Sequence, residues 1–314
     1  MEIILGETNF MLDKPSAVSI GKFDGIHMGH CVLLDRTFKQ KKNGMQSVVF
    51  TFDPAPSVFF SGRPQKLLTT KQEKREIFEK LGVDVLIEYP LNAETASTLP
   101  EAFISDVLVG RMKMRYIAAG TDVSFGDKGS GNAELLVKLA NEMGYTADII
   151  DKVYSHGEEV SSTLIRDYVS AGNMERVKEL LGGHYSTEGR VVTGNKFGRN
   201  IGMPTMNIIP PCDKLLPPNG VYFSDIVLRG RKYHSITDVG CKPTVSDENR
   251  KGVETFVYDF NDDAYGEDIR VDFLSFRRPE MKFASVDELK QQMQRDIAAG
   301  REFHGLGETK TGMD

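Results

Sequence analysis

The sequence predicts an α/β protein in two unlike parts: a doubly wound parallel-sheet domain over residues 1–180, then a small antiparallel β-barrel domain over residues 181–304 with a C-terminal helix. Three observations lead there. Before Gly182-Gly183, short β-branched runs alternate with stretches of helical period, the pattern of βαβ units. After it, glycine and proline punctuation grows denser and apolar residues alternate with polar ones, the pattern of short antiparallel strands. No internal repeat relates the two parts, so they read as a fusion of different folds. A chain of 314 residues can bury two cores. The stretch from 305 to 314 reads as a disordered tail.

The first part has candidate strands at Ala17–Ile20, Ser47–Phe52, Val83–Ile87, Arg115–Ala119 and Ala147–Ile150. Between them, Gln72–Leu81 is rich in Lys and Glu, keeps Ile77, Phe78 and Leu81 on one face and stops at Gly82, which reads as a surface helix with a glycine cap. Val32–Lys39, Pro100–Val109 and Ala133–Met143 read as helices by the same period. In the second part the candidate strands are Arg190–Thr193, Val221–Leu228, Glu254–Phe260 and Ile269–Leu274, with turns at Pro217–Gly220, Arg229-Gly230 and Asn261–Asp263. Ser285-Val286-Asp287-Glu288 has the form of a capping box. The apolar stripe of Val286, Leu289, Met293 and Ile297 then ends at Gly300.

Composition narrows the function. With 39 Lys plus Arg against 45 Asp plus Glu, the net charge of −6 offers no global positive field for nucleic acid, though local basic pockets for small phosphates are compatible with it. No apolar run reaches the roughly 18 residues of a membrane span, and the start, with Glu2, lacks the basic residues of a signal peptide. Cys31, Cys212 and Cys241 are odd in number and widely spaced, which suggests neither a disulfide framework nor a zinc knuckle. The expectation is a cytoplasmic protein with no membrane or nucleic-acid partner.

The first candidate site is the loop Gly21-Lys22-Phe23-Asp24-Gly25-Ile26-His27-Met28-Gly29-His30. It leaves the first strand at the carboxyl edge of a parallel sheet and opens a helix, the place where open α/β sheets bind ligands. Glycines let backbone N–H groups approach phosphate oxygens, the helix turns its positive end toward them, and His27 and His30 add donors. The competing readings are a merely structural histidine pair or an i, i+3 metal pair, the latter lacking a third ligand nearby. A second piece, Val160-Ser161-Ser162-Thr163-Leu164-Ile165-Arg166, opens a helix with three hydroxyls and an arginine one turn in, which fits a triphosphate clamp as well as a plain N-cap.

The second candidate site is Gly189–Asn207. Gly189 to Lys196 nearly fits a Walker loop, but Asn195 stands where lysine is required and no helix follows, so that reading fails. Gly194, Gly198 and Gly202 with Lys196 and Arg199 suggest a basic flap over nucleotide phosphates, or else a plain glycine-rich barrel loop.

These motifs together resemble the bacterial bifunctional riboflavin kinase/FAD synthetase family over nearly the whole chain. Gly21–His30 matches the family's GxFDGxHxGH, Val160–Arg166 its ISSTxIR with Val160 for Ile, Phe52–Pro56 its FDPHP with Ala55 for His, and Gly120–Gly126 its GxDFxFG with Val123 for an aromatic. Gly198-Arg199, Gly202 and Pro204-Thr205-Met206-Asn207 match GR-x-G-x-PTAN with Met206 for Ala. Glu254 falls at the family's catalytic carboxylate, and the loops around Gly220, Gly240, Tyr265 and Arg278 follow in the family's order.

The resemblance implies a nucleotidyltransferase domain that adenylylates FMN to FAD, and a kinase barrel that phosphorylates riboflavin to FMN, both with ATP and Mg²⁺. Gly21, Phe23, Asp24, Gly25, Gly29, Asp53, Asp122, Ser161, Ser162 and Thr163 would then bind substrate in the first domain, with His27, His30 and Arg166 catalytic; Asp24 either orders the loop or sits near the metal. In the second, Gly194, Lys196, Gly198, Arg199, Gly202 and Pro204 would bind nucleotide, Thr205 and Asn207 the Mg²⁺ ion, and Glu254 would act as base. Two other readings stay open. One is an adenylyltransferase with an impaired kinase, motivated by Met206, Asp238 for Asn and Val245 for an aromatic; the other is a non-catalytic flavin or nucleotide sensor.

Overall fold

The computed structural model describes residues 1–193, 203–242 and 250–307. The chain divides into two compact units, Met1–Leu164 and Ile165–Asp314, whereas the sequence changes texture at Gly182-Gly183.

In the first unit, β1 (Glu2–Leu5), β2 (Ser16–Ile20), β3 (Gln46–Asp53), β4 (Val85–Pro90), β5 (Met114–Gly120) and β6 (Thr146–Ile150) form one parallel sheet in the order β1-β4-β3-β2-β5-β6. Five of these are the expected strands. β1 escaped because it is a four-residue edge strand whose side chains are mostly exposed, so no burial pattern marks it. The order reverses direction between β2 and β5, a topological switch point, and both strands end at loops singled out in the sequence, Gly21–His27 and Gly120–Asp122.

Helices cover both faces. On one side α1 (Met28–Lys39) and α3 (Lys71–Leu81) pack Leu34 and Phe78 against Val49 and Leu86. On the other, a π-helix over Phe103–Arg111 and α6 (Ala133–Met143) pack Ile104, Leu108 and Leu136 against Val18, Val48 and Ile117. Short helices α2 (Pro56–Ser61), α4 (Ala93–Ala96) and α5 (Pro100–Ala102) link the larger elements, and the hairpin β7 (Tyr154–Ser155)–β8 (Glu158–Glu159) follows the sheet. The chain continues through α7 (Ser162–Ala171) and α8 (Met174–Leu181).

The second unit is built on a six-stranded antiparallel sheet, ordered β10 (Thr205–Ile208), β13 (Arg250–Val257), β12 (Arg231–Lys242), β11 (Gly220–Leu228), β14 (Asp268–Pro279) and β9 (Tyr185–Arg190). A bridge between Val192 and Asn207 brings the segment after β9 to the opposite edge strand, so the sheet curls into a half-barrel. Three strands differ from expectation: β9 lies earlier than Arg190–Thr193, and β10 and β12 have no counterpart among the expected strands. β12 hides because its buried face is hydroxylic. Ser235 and Thr237 are fully buried and bond to Ser224 and Thr255, at 2.8 Å for Ser224–Ser235, 2.7 Å for Ser224–Thr237 and 2.8 Å for Thr237–Thr255. A strand whose interior positions are Ser and Thr shows no apolar alternation.

The C-terminal helix α9 (Val286–Phe303) covers the other face of this sheet, where Ile297 packs with Val221, Ile236 and Tyr258, and Phe303 stacks on Phe223 at 4.4 Å. Its start corrects the capping box. Ser285 accepts from Glu288 N, but the Glu288 carboxylate accepts from Ala284 N rather than from the cap's own amide. Its end corrects the stop at Gly300. The helix runs on through Phe303, and Gly300 is buried against Tyr258, whose hydroxyl donates to Ile297 O at 2.9 Å. A Cβ at 300 would lie 2.0 Å from the Tyr258 hydroxyl oxygen, so glycine is required for approach rather than for termination. Gly300→Ala is accordingly expected to lower stability by about 1–3 kcal/mol despite alanine's better helix propensity, read as a lower thermal midpoint.

Gly305–Gly307 are tied down: Leu306 joins the helix–sheet cluster and the Arg301 guanidinium donates to Gly307 O at 2.9–3.0 Å. The rest of the expected disordered tail, from 308 on, lies outside the described residues. Among the described residues no helix is long and apolar enough to cross a membrane.

Candidate functional site

At the switch point of the first unit, the loop Gly21–His27 is held by bonds from Thr69, Lys74 and Ser162. Asp24, 7% exposed, accepts from Thr69 N at 3.0 Å, and Gly25 N donates to Thr69 Oγ1 at 3.0 Å. Asp24 thus orders the loop, one of the two roles left open for it. Ser162 Oγ donates to Asp24 O at 2.7 Å, which ties the start of α7 to the loop, while Ser161 Oγ caps α7 by accepting from Leu164 N at 3.2 Å. Lys74 Nζ donates to Lys22 O at 3.0 Å. Gly25 has φ +63°, and a Cβ there would lie 2.7 Å from Leu68 Cδ1, so any larger residue strains the loop twice over.

His27 is the N-cap of α1, its Nδ1 accepting from His30 N at 3.4 Å. An accepting Nδ1 leaves the proton on Nε2, the one donor His27 can offer a ligand. Burial pushes its pKa down to about 4, against the pull of Asp122 and Asp24. His30 stacks on His27 at 3.7 Å and meets Phe23 at 4.9 Å; burial, and then the His27 ring, hold it well below the ordinary histidine range. His30 Nδ1 is shut off from solvent with no hydrogen-bond partner among the described residues. At neutral pH the pair therefore carries no fixed positive charge and offers hydrogen-bonding groups only.

Around this centre Lys71 pairs with Asp53 at 2.7 Å, and Lys152 bridges Asp122 at 3.0 Å and Glu159 at 2.6 Å. Thr163 is exposed beside Ser162, and Arg166 stands one turn further along α7. The structure thus gathers Gly21, Phe23, Asp24, Gly25, His27, Gly29, His30 and Ser162, with Asp53 and Asp122 in ion pairs of their own.

Sequence reasoning missed Thr69 and Lys74. Lys74 lies in the helix read as a plain surface helix; burial lowers its pKa, with Asp24 and Glu88 opposing. A Lys/Glu-rich period gives no sign of which lysine turns inward, and nothing near Thr69 marks its partnership with a loop 45 residues away.

In the second unit, β10 and β13 run antiparallel with Asn207 opposite Glu254 and Thr205 opposite Phe256. Residues opposite each other share a face, so Thr205, Asn207 and Glu254 point to one side. Thr205 Oγ1 donates to Glu254 Oε1 at 2.5 Å, and Asn207 is 6% exposed. Met206 lies between the two but on the opposite face, buried and in register with Thr255. Asp238 of β12 continues the polar row, directly opposite Glu254. Beside the row lies a cleft of about 280 Å³ whose walls include Pro204, Thr205, Asn207, Phe260, Asp262 and Tyr265. Thr205 and Asn207 put side-chain oxygens on the wall of this cleft, the donor type that suits a hard divalent cation such as Mg²⁺, with Glu254 bonded to Thr205 beside it. Gly194, Lys196, Gly198, Arg199, Gly202 and Val245 lie outside the described residues.

Comparison with known proteins separates the same two regions. Residues 10–164 match the FAD synthetase family model and residues 181–304 the riboflavin kinase model. A bifunctional riboflavin kinase/FMN adenylyltransferase of Listeria monocytogenes is 34% identical over 300 residues, covering 94% of this chain and 95% of that protein.

The chain belongs to the bifunctional riboflavin kinase/FMN adenylyltransferase family.

The Escherichia coli K12 member of the family is likewise 34% identical, over 92% of this chain and 93% of its own. A crystal structure from Streptococcus pneumoniae, solved under the name macrolide-efflux protein, superposes with a TM-score of 0.85 at 30% identity, covering 95% of this chain and 98% of that one. The FAD synthetase match contains the histidine loop and the riboflavin kinase match the Thr205–Glu254 pair, so each family domain holds one of the two polar centres.

Proposed function

We propose that the second unit phosphorylates riboflavin to FMN and that the first adenylylates FMN to FAD with release of pyrophosphate, each step using ATP. One observation carries this reading: two polar centres of different chemistry, one in each family domain. The first holds neutral hydrogen-bonding imidazoles at a helix start and the second a carboxylate aligned with two oxygen side chains.

The difference matches what the two nucleophiles need. The phosphate of FMN is anionic near pH 7 and attacks phosphorus without a base, so the first centre has only to place it and to bind charge on the transferring group. His27 Nε2–H, the amides at the start of α1 and Arg166 are proposed for that work, with Gly21, Phe23, Asp24, Gly25, Gly29, Asp53, Asp122, Ser161, Ser162 and Thr163 shaping the pocket. A sugar-alcohol hydroxyl has a pKa far above 7 and gains from a positioned base. Glu254 is proposed as that base, aligned by the Thr205 hydroxyl. Thr205 and Asn207 would hold Mg²⁺ with the nucleotide, and such an ion, when bound, shields phosphate charge. Pro204 leads into this strand, and Gly194, Lys196, Gly198, Arg199 and Gly202 are proposed to contact the nucleotide.

Against the impaired-kinase reading, strand alternation puts Met206 on the face opposite Thr205 and Asn207, although Met206 also lines the cleft beside them. The same proposal places the enzyme in the cytoplasm, where the exposed Cys31 and Cys212 stay reduced. Its test is chromatographic: purified protein with MgATP is offered riboflavin in one tube and FMN in the other. FAD is expected from both. FAD from FMN alone would mean that the barrel does not phosphorylate.

A further inference from the structure

Away from both centres, β11, β12 and the end of α9 bring Asp225, His234 and His304 together, with one ligand atom of each lying within 4.8 Å of the others. We infer that these three side chains form a binding site for one divalent transition-metal ion of the zinc class. Asp225 is 2% exposed and divides its oxygens: Oδ2 takes the Lys232 ammonium at 2.6 Å, whereas Oδ1 lies 2.7 Å from His234 Nδ1 and 3.9 Å from His304 Nδ1. His304 Nε2 lies 3.1 Å from the carbonyl oxygen of Ser235. A carbonyl only accepts, so Nε2 carries the proton and Nδ1 turns a lone pair toward Asp225 Oδ1.

Two lone pairs facing each other at 3.9 Å in a buried position repel, and a cation placed between them removes that repulsion. An imidazole that donates its far N–H to a backbone carbonyl is also the usual way in which a metal-ligating histidine is held in one tautomer and orientation. His234, stacked on His304 at 4.3 Å, supplies the third donor when its own proton sits on Nε2. Two imidazole nitrogens and one carboxylate oxygen select zinc-like ions over Mg²⁺ and Ca²⁺, which prefer oxygen alone. Lys232 on Oδ2 competes for the carboxylate and moderates the affinity. Since His304 is the C-cap of α9, a bound ion would tie the helix end to the β11–β12 hairpin and stabilise this unit by mass action.

The experiment uses the full chain, stripped with chelator and dialysed against Zn²⁺ with Mg²⁺ in excess; Co²⁺ serves as a spectroscopic probe. One equivalent of Zn²⁺ is expected to remain bound, the thermal midpoint to rise, and Co²⁺ to show the visible band of a low-coordinate site. His234→Gln and His304→Gln should each weaken binding at least tenfold. Lys232→Met keeps all three ligands and should bind more tightly than the wild type, which separates loss of a ligand from loss of fold. Absence of stoichiometric uptake, uptake unchanged in both histidine variants, or uptake lost in Lys232→Met would overturn the assignment.

Discussion

Glu254→Gln is expected to cut FMN formation from riboflavin by about 10²–10⁴-fold, the usual contribution of a positioned general base, while leaving adenylylation of added FMN at the wild-type rate. Glutamine is nearly isosteric and its carbonyl can still accept the Thr205 hydroxyl, which now meets the carboxylate at 2.5 Å, so β10 and β13 keep their pairing. What is lost is the proton-accepting oxygen. The loss should fall on kcat rather than on the KM for riboflavin, because the proton moves only as the hydroxyl attacks. Steady-state kinetics of each half-reaction read this out. A variant that still made FMN at near wild-type rate would leave Glu254 a strand residue that merely anchors Thr205.

The second large effect is expected at His27. His27→Asn keeps an N-cap acceptor for α1, asparagine being among the best caps, but replaces the imidazole Nε2–H by a shorter amide N–H₂ that does not reach the same point. FMN adenylylation should fall by about 10²–10³-fold, as when one donor to a developing charge is removed, with FMN formation unchanged. The same substitution has a signature in stability. Burial holds the folded-state pKa of His27 at about 4, whereas the unfolded chain titrates near 6.5. Between those values the unfolded chain binds more protons, so the free energy of unfolding is full above pH 6.5 and declines as pH falls toward 4, by up to ~3 kcal/mol from His27 alone. His30 is shifted the same way and adds to the slope. Denaturant unfolding at about pH 7 and about pH 4.5 should show a smaller loss in His27→Asn than in the wild type; equal losses would mean that this histidine does not titrate as its burial requires.

What could be read from the sequence follows from how local each signal is. The histidine loop was legible because glycines, imidazoles and a helix start occur within ten consecutive residues between a strand and a helix. Its supports were not: Thr69 and Lys74 reach it across 45 and 52 residues, and only the folded sheet makes them neighbours. The same holds for Asp225, His234 and His304, which lie on three elements and share no spacing pattern. Strand β12 was hidden by the hydroxyls of Ser235 and Thr237, which satisfy one another inside the half-barrel, and β1 by its exposure at the sheet edge. Gly300 read as a stop because glycine usually ends helices, and only Tyr258 reveals that it is there for close approach.

The independence of two complete centres in one chain is open to direct test. Its most direct test mixes the two damaged proteins: Glu254→Gln alone and His27→Asn alone, each with MgATP and riboflavin, then both together. Neither alone should give appreciable FAD, and the mixture should restore it, as FMN made by the His27→Asn protein is adenylylated by the Glu254→Gln protein. A mixture that stays inactive, although each variant still performs its own half-reaction, would contradict independence; a single substitution that removed both half-reactions from a folded protein would contradict the assignment of the two centres themselves.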